Sequence, residues 1–346
     1  MDISHSPTPS TNEDEAVRST NNDAAFSRHS AVAAGYLQDQ FIKHFVRNSP
    51  PKRPPLINRG TYCRLTGVKS ILKQFIEKTP QFKETQIVSL GAGYDTTYFV
   101  LKSEFGLSAT RYFEIDFPEI TSTKAMTISR KRPLKSALLQ TPNRTLAAPS
   151  TADSIKINNS GLDLSSPDYY LISGDLRHFE SQIAPKLLEN GFKTSVPTLF
   201  LSECVLIYLD SEHSNAILDW VTANMKPSGC FAFLTYEQIN PSDSFGQMMI
   251  QNLRNRGIEL KGLVGCPTLE SQKQRYVSRG WDHAEVLDLD QYHQKYVSHE
   301  EKARLTKVEM LDEWEEFTLL AQHYCFTFAY SAQNPEFREI ISDIHF

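Results

Sequence analysis

The feature that most constrains this chain is an alternation of short apolar runs with helix-like stretches. Residues 86–90, 111–115, 169–172, 198–201 and 230–236 are strand-length and rich in β-branched and aromatic side chains, with few polar positions between. Strands that are apolar on both faces belong to parallel sheets covered by helices, because an antiparallel sheet wetted on one side would alternate. The intervening stretches have helical spacing, as in residues 215–225. Strand–helix–strand repetition therefore predicts an α/β fold with a doubly wound, mostly parallel sheet. Residues 284–289 and 323–330, with a helix over 308–320 between them, complete a sheet of seven strands, one of the last two a candidate for antiparallel pairing. No repeat of about 20–50 residues interrupts this rhythm.

Outside the alternation the chain reads differently. Residues 1–22 are Ser, Thr, Asn, Pro and acidic, with almost nothing to bury, and predict a disordered tail. Removal of residues 1–19 is then expected to leave fold and ligand binding intact. Val32, Tyr36, Leu37, Phe41, Ile42 and Phe45 recur at helical spacing over 31–47, and the prolines at 50, 51, 54 and 55 end that helix. A second helix is expected over 68–78. Residues 131–166 are polar and aperiodic, and read as a long, partly mobile insertion. The expected organisation is a single domain over 23–335, with a helical lid over 23–80 and a C-terminal tail over 336–346.

Charge and cysteine usage narrow the function. The net charge is −5 and the isoelectric point about 6.1, so a nucleic-acid backbone is a poor partner. The five cysteines are odd in number and show no metal-ligand spacing. His299-Glu300 begins like a zinc-binding helix, but Ala303 stands where the second histidine belongs. No metal is expected. No run reaches the ~20 apolar residues of a membrane span, no apolar leader is visible, and Asp2 precludes myristoylation. A cytoplasmic monomer without membrane contact is expected.

The candidate chemistry lies at strand ends. Leu90-Gly91-Ala92-Gly93 follows the first strand and opens a helix, where glycines permit close approach of a ligand to backbone N–H groups. Only Gly-x-Gly is present, short of the dinucleotide fingerprint. Glu114 and Asp116 end the second strand at roughly the ~20-residue spacing of a ribose-binding acid, and Asp116 lies nearer the carboxyl edge. Helix capping before Pro118 is the competing role. Asp175 follows the third strand, suited to an adenine amine, and Glu203 ends the fourth. Capping alone explains four consecutive strand ends poorly, since ligands of such sheets bind at the carboxyl ends.

Several segments together resemble the leucine carboxyl methyltransferase family. They include Asn58-Arg59-Gly60-Thr61-Tyr62-Cys63-Arg64, Leu90-Gly91-Ala92-Gly93-Tyr94-Asp95-Thr96-Thr97, Tyr112-Phe113-Glu114-Ile115-Asp116 and Ser202-Glu203-Cys204-Val205-Leu206-Ile207-Tyr208, with Tyr236-Glu237-Gln238 further on. The resemblance runs over about residues 23–330. It implies the S-adenosylmethionine-dependent methyltransferase type of sheet with S-adenosylmethionine as cofactor. The implied reaction is methylation of the C-terminal leucine carboxylate of the type 2A protein phosphatase catalytic subunit, and phosphatase regulation through it. Arg28 and Arg64 would hold the methionine carboxylate, Gly91 the methionine end, Asp116 the ribose, Asp175 with Leu176 the adenine, and Glu203 the amino group. Relatives are expected to carry lysine at position 28, with the charge kept. Composition alone would leave Arg28 solvated and Tyr208 in the core; Arg64 and Tyr208 are carried forward as positioning groups, with no general base.

Three other readings stay open at this point. Related enzymes methylate a carboxyl group on a modified tRNA base, a nicotinamide-dependent oxidoreductase shares the sheet, and a non-catalytic scaffold would bind cofactor without reacting. The lone Gly-x-Gly and the lack of a Tyr-x-x-x-Lys pair oppose the oxidoreductase; the acidic isoelectric point opposes RNA.

Overall fold

Each apolar run becomes a strand in the computed structural model, which describes residues 11–46, 51–107, 109–139, 155–226 and 228–346. The strands are β1 (Thr85–Leu90), β2 (Thr110–Asp116), β3 (Lys156–Asn158), β4 (Asp163–Ser165), β5 (Tyr169–Ser173), β6 (Thr198–Glu203), β7 (Cys230–Gln238), β8 (His283–Asp288) and β9 (Tyr324–Ala332). They form one sheet in the order β3-β4-β5-β2-β1-β6-β7-β9-β8. The pairs β5–β2, β2–β1, β1–β6 and β6–β7 are parallel, whereas β9 runs antiparallel to both β7 and β8. Side chains alternate between two cores: Ile87 and Leu199 face one, Val88 and Phe200 the other.

The helices follow in chain order as α1 (Thr11–Ala34), α2 (Pro55–Lys78), α3 (Thr97–Phe105), α4 (Pro118–Arg130), α5 (Arg132–Leu139), α6 (Ala184–Glu189) and α7 (Ser211–Met225). After β7 come α8 (Ser244–Arg254), α9 (Leu269–Val277), α10 (Leu289–Tyr296), α11 (His299–Val308), α12 (Trp314–Ala321) and α13 (Pro335–Ile341). None is long and apolar enough to cross a membrane.

Sequence expectations need correction in four regions of the chain. The sheet has nine strands rather than seven, because the 131–166 segment supplies an antiparallel β3–β4 hairpin on β5. The same segment begins with α5, whose Leu134 and Leu138 are fully buried at i,i+4. That stripe is too short to stand out beside Lys131, Arg132 and Lys135; residues 140–154 lie outside the described ones. Second, the expected tail is helical from Thr11, while its first ten residues lie outside the described ones. The expected helix over 31–47 is cut at Gly35, in the left-handed region at φ 93°. Tyr36 N–H donates to Ala31 O at 2.9 Å, a helix C-terminal motif that places Gly after the last turn. Tyr36, Phe41 and Phe45 are nevertheless buried, so helical spacing there reports burial without a helix.

Third, Pro55 begins α2 rather than ending its predecessor, as proline at the first helical position does, and α2 extends far ahead of residue 68. Fourth, the expected C-terminal tail is α13 and its sequel. Asn334 caps it by accepting from Phe337 N–H at 3.1 Å, and Phe337, Ile341, Ile344 and Phe346 are buried.

The order of strands locates the site. Connections from β1 lead to β2 on one side, and the chain later returns to β6 on the other. Such a reversal leaves a crevice at the carboxyl ends of β1 and β6.

Candidate active site

At that reversal lies a cavity of about 410 Å³. Arg28, Arg64, Gly91, Asp116, Asp175, Leu176, Glu203 and Tyr208 all line it. The eight candidates, spread over much of the sequence, are thus brought into one place.

The floor is the turn after β1. Gly91 and Gly93 have φ of 60° and 52°. A Cβ on Gly91 would stand 2.4 Å from Val205 Cγ2, so the turn is open only as glycine. Asp116, at the end of β2, accepts from Gly93 N–H at 2.6 Å and Phe117 N–H at 2.7 Å. Burial pushes its carboxyl up to about 6, against those two N–H donors. Glu114 is placed elsewhere: fully buried, it pairs with Lys124 at 2.5 Å and accepts from Tyr169 O–H at 2.6 Å. The choice of Asp116 over Glu114 matches this placement.

Two arginines approach from α1 and α2. Arg28, on α1, is buried rather than solvated. Its Nε donates to Asp39 Oδ2 at 2.7 Å, and its Nη1 to Asp95 Oδ1 and to Thr97 Oγ1. Against the penalty of burial, Arg28 and Lys124 hold the Asp95 carboxyl below the usual range. Arg64, on α2, is placed quite differently. Its Nε is buried without a hydrogen-bond partner, and Glu203 Oε2 lies 3.5 Å away. Burial pushes the Glu203 carboxyl up to about 6, with Arg64 opposing.

Asp175 takes the capping role and also stands at the cavity. It caps the turn after β5, accepting from Arg177 N–H at 2.9 Å, and it lines the cavity. Arg177 grips it through Nε and links it to Asp14 at 2.8 Å. Tyr208 is a cavity wall rather than core; burial raises its hydroxyl well above the usual range, which keeps it a donor.

Sequence reasoning missed the wall that α1 provides. Asn21 Oδ1 accepts from Tyr94 N–H at 2.6 Å, beside the glycine turn. Glu13 pairs with Lys261 at 2.6 Å and Asp14 with Arg177 at 2.8 Å. These contacts reverse the expectation for the N-terminus. Deleting residues 1–19 is expected to lower ligand affinity by about tenfold or more, by removing one wall of the cavity, while costing little stability, since exposed ion pairs contribute about 0–1 kcal/mol each. Calorimetric titration and thermal unfolding of the truncated chain check this; unchanged affinity would return α1 to the status of a tail. Asp39 and Asp95 were also missed as partners of Arg28, although Asp95 lies within the glycine motif itself. Among the described residues no group of three or more His, Cys, Asp or Glu side chains is placed to hold a metal ion.

The family model described as leucine carboxyl methyltransferase matches residues 16–222. Leucine carboxyl methyltransferase 1 of Bos taurus is 38% identical over 321 residues, covering 93% of this chain and 91% of the relative. The leucine carboxyl methyltransferase 1 homolog of Arabidopsis thaliana is 37% identical over 318 residues, covering 91% and 89%. The tRNA wybutosine-synthesizing protein 4 of Rattus norvegicus is 34% identical over 311 residues, but only 43% of its length is covered.

Proposed function

Because the chain belongs to the leucine carboxyl methyltransferase family, we propose that it transfers a methyl group from S-adenosylmethionine to a C-terminal leucine carboxylate of the type 2A protein phosphatase catalytic subunit. The observation that carries the cofactor assignment is the Arg64–Glu203 pair. A buried guanidinium nitrogen without a hydrogen bond faces a carboxylate across 3.5 Å, a loose ion pair whose cation and anion both retain hydrogen-bonding capacity. That pattern fits the carboxylate and amine of an amino acid, and a buried nitrogen without a hydrogen bond is costly unless a ligand completes it.

The rest of the cavity supports the same ligand. The glycine turn admits backbone approach, Asp116 has acceptor capacity for ribose hydroxyls, and Asp175 with Leu176 forms a polar–apolar edge for a base. Bound, S-adenosylmethionine supplies an electrophilic methyl group. A C-terminal carboxylate, with a pKa of about 3.3–3.7, is ionised at neutral pH, and no proton need be removed from it. The chain's part is to orient the acceptor oxygen and exclude water, with Tyr208 as a hydroxyl donor. No histidine is among the described residues lining the cavity.

The test is incubation of the chain with methyl-labelled S-adenosylmethionine and phosphatase core enzyme, followed by mapping of the label. A base-labile ester on the terminal leucine is expected; label on tRNA, or none on a phosphatase ending in leucine, would overturn the reading. The pH dependence follows from Glu203. Protonation removes its charge, so affinity for an amine should fall as pH drops through about 6 and flatten in Glu203→Gln. Maximal rates should stay level between about pH 6 and 8. A fall below about pH 6.5 that vanished on replacing one histidine would indicate a base.

A further inference from the structure

The segment following β6 carries Val205 and Tyr208 to the cavity beside Glu203, the last residue of that strand, yet it has no regular structure beyond one 3-10 turn at Leu206–Tyr208. It starts with Cys204 at φ 53°, a backbone state that side-chain-bearing residues resist. Something outside the segment must hold it there. Cys204 N–H donates to Tyr236 O at 2.7 Å. One residue further along β7, Glu237 Oε1 accepts from Leu206 N–H at 3.1 Å and from Val205 N–H at 3.4 Å.

Glu237 is an unusual residue for this task. It is 1% exposed, does not line the cavity, and its Oε2 has no partner. A carboxyl near the end of β7, buried in register with Cys325 of β9, adds nothing to sheet packing that an apolar residue would not do better. Burial pushes the carboxyl up to about 8, with Arg275 and the loop N–H groups opposing. Through Oε1 the group acts as the hydrogen-bond acceptor of the loop. Its consequence reaches the site through Val205, whose methyl groups fill the space that a Cβ on Gly91 would need.

We propose that Glu237 is a positioning residue for methyl transfer, holding the 204–208 segment so that Val205 and Tyr208 face the cavity beside Glu203. This rests on the reading of the cavity as the methyl-transfer site. Two near-isosteric variants of the full chain separate acceptor from filler: Glu237→Gln keeps an acceptor oxygen, and Glu237→Met keeps only the volume. Each is assayed for transfer to phosphatase core enzyme and, separately, for S-adenosylmethionine binding by calorimetry. Glu237→Gln is expected within about threefold of wild type, whereas Glu237→Met loses about 10- to 100-fold in kcat/KM, because two buried N–H groups lose their acceptor.

A fully active Glu237→Met overturns the proposal, and so does a folded Glu237→Gln as impaired as Glu237→Met. Should the methionine variant not fold, amide exchange on the wild-type chain decides. Val205 and Leu206 amides protected well beyond those of the exposed 255–257 turn support the role; equal exchange overturns it. A wild type that binds S-adenosylmethionine but leaves the phosphatase unmethylated defeats the proposed substrate instead, and the binding comparison of the two variants still tests Glu237.

Discussion

Replacing Arg64 with methionine is expected to weaken S-adenosylmethionine binding by about 30- to several-thousandfold, while leaving thermal stability unchanged or slightly raised. The two halves of this expectation have one cause. The Arg64 Nε has no hydrogen bond from the protein and meets Glu203 only at 3.5 Å. A buried ion pair of that quality recovers little of its desolvation cost, and an apolar residue of similar volume is often neutral or stabilising. Removing one partner of a buried, hydrogen-bonded charge pair across a binding interface, by contrast, costs about 2–5 kcal/mol, the fold-range given above at about 1.4 kcal/mol per tenfold. Arg64→Lys should lie between, because a lysine keeps the charge but not the planar fork that matches a carboxylate. Calorimetric titration gives the affinities and thermal unfolding the stabilities. Equal affinity in Arg64→Met and wild type would remove the amino-acid end of the ligand from this position.

The second large effect is expected at Gly91. An alanine there would hold its Cβ 2.4 Å and 2.8 Å from the two Val205 methyl carbons and would have to keep φ near 60°. Overpacking a well-filled site costs about 1–3 kcal/mol, and the left-handed conformation about 1–2 kcal/mol for a residue with a Cβ. Gly91→Ala should therefore lose about 2–5 kcal/mol of stability in denaturant titrations, and cofactor affinity with it. The two terms are separable. Adding Val205→Ala removes the methyl groups from the contact, so the double variant should recover the overpacking part but not the backbone part. If the double variant were no more stable than Gly91→Ala alone, Val205 would not be the obstacle.

The strand ends were legible in the sequence, and they account for most of the cavity floor. Gly91, Asp116, Asp175 and Glu203 each follow a run of apolar residues, so their positions at the carboxyl edge depend only on where a local pattern stops. A sheet buried on both faces then leaves them nowhere else to be.

The walls were not legible, for a different reason in each case. The N-terminal part of α1 is fixed largely through polar contacts: Glu13, Asp14 and Asn21 meet Lys261, Arg177 and the Tyr94 N–H. Helix reading depends on an apolar stripe, and this helix has none to show there. The C-terminal helix α13 has apolar residues but is short, and only the completed core shows that Phe346 packs 5.1 Å from Phe326.

What the sequence by itself determined is the α/β class, the family resemblance and the acids and glycines at the edge of the sheet, because each is a statement about neighbouring residues. Tertiary structure alone decided which charges are paired and which are free. Arg28 and Arg64 are the same residue type on adjacent helices, yet Arg28 is held by Asp39 and Asp95, while Arg64 keeps an unpartnered nitrogen facing Glu203. Those partners lie 11, 67 and well over a hundred residues away along the chain. Electrostatic pairing depends on distance and burial in space, neither of which a residue type or its spacing in sequence contains.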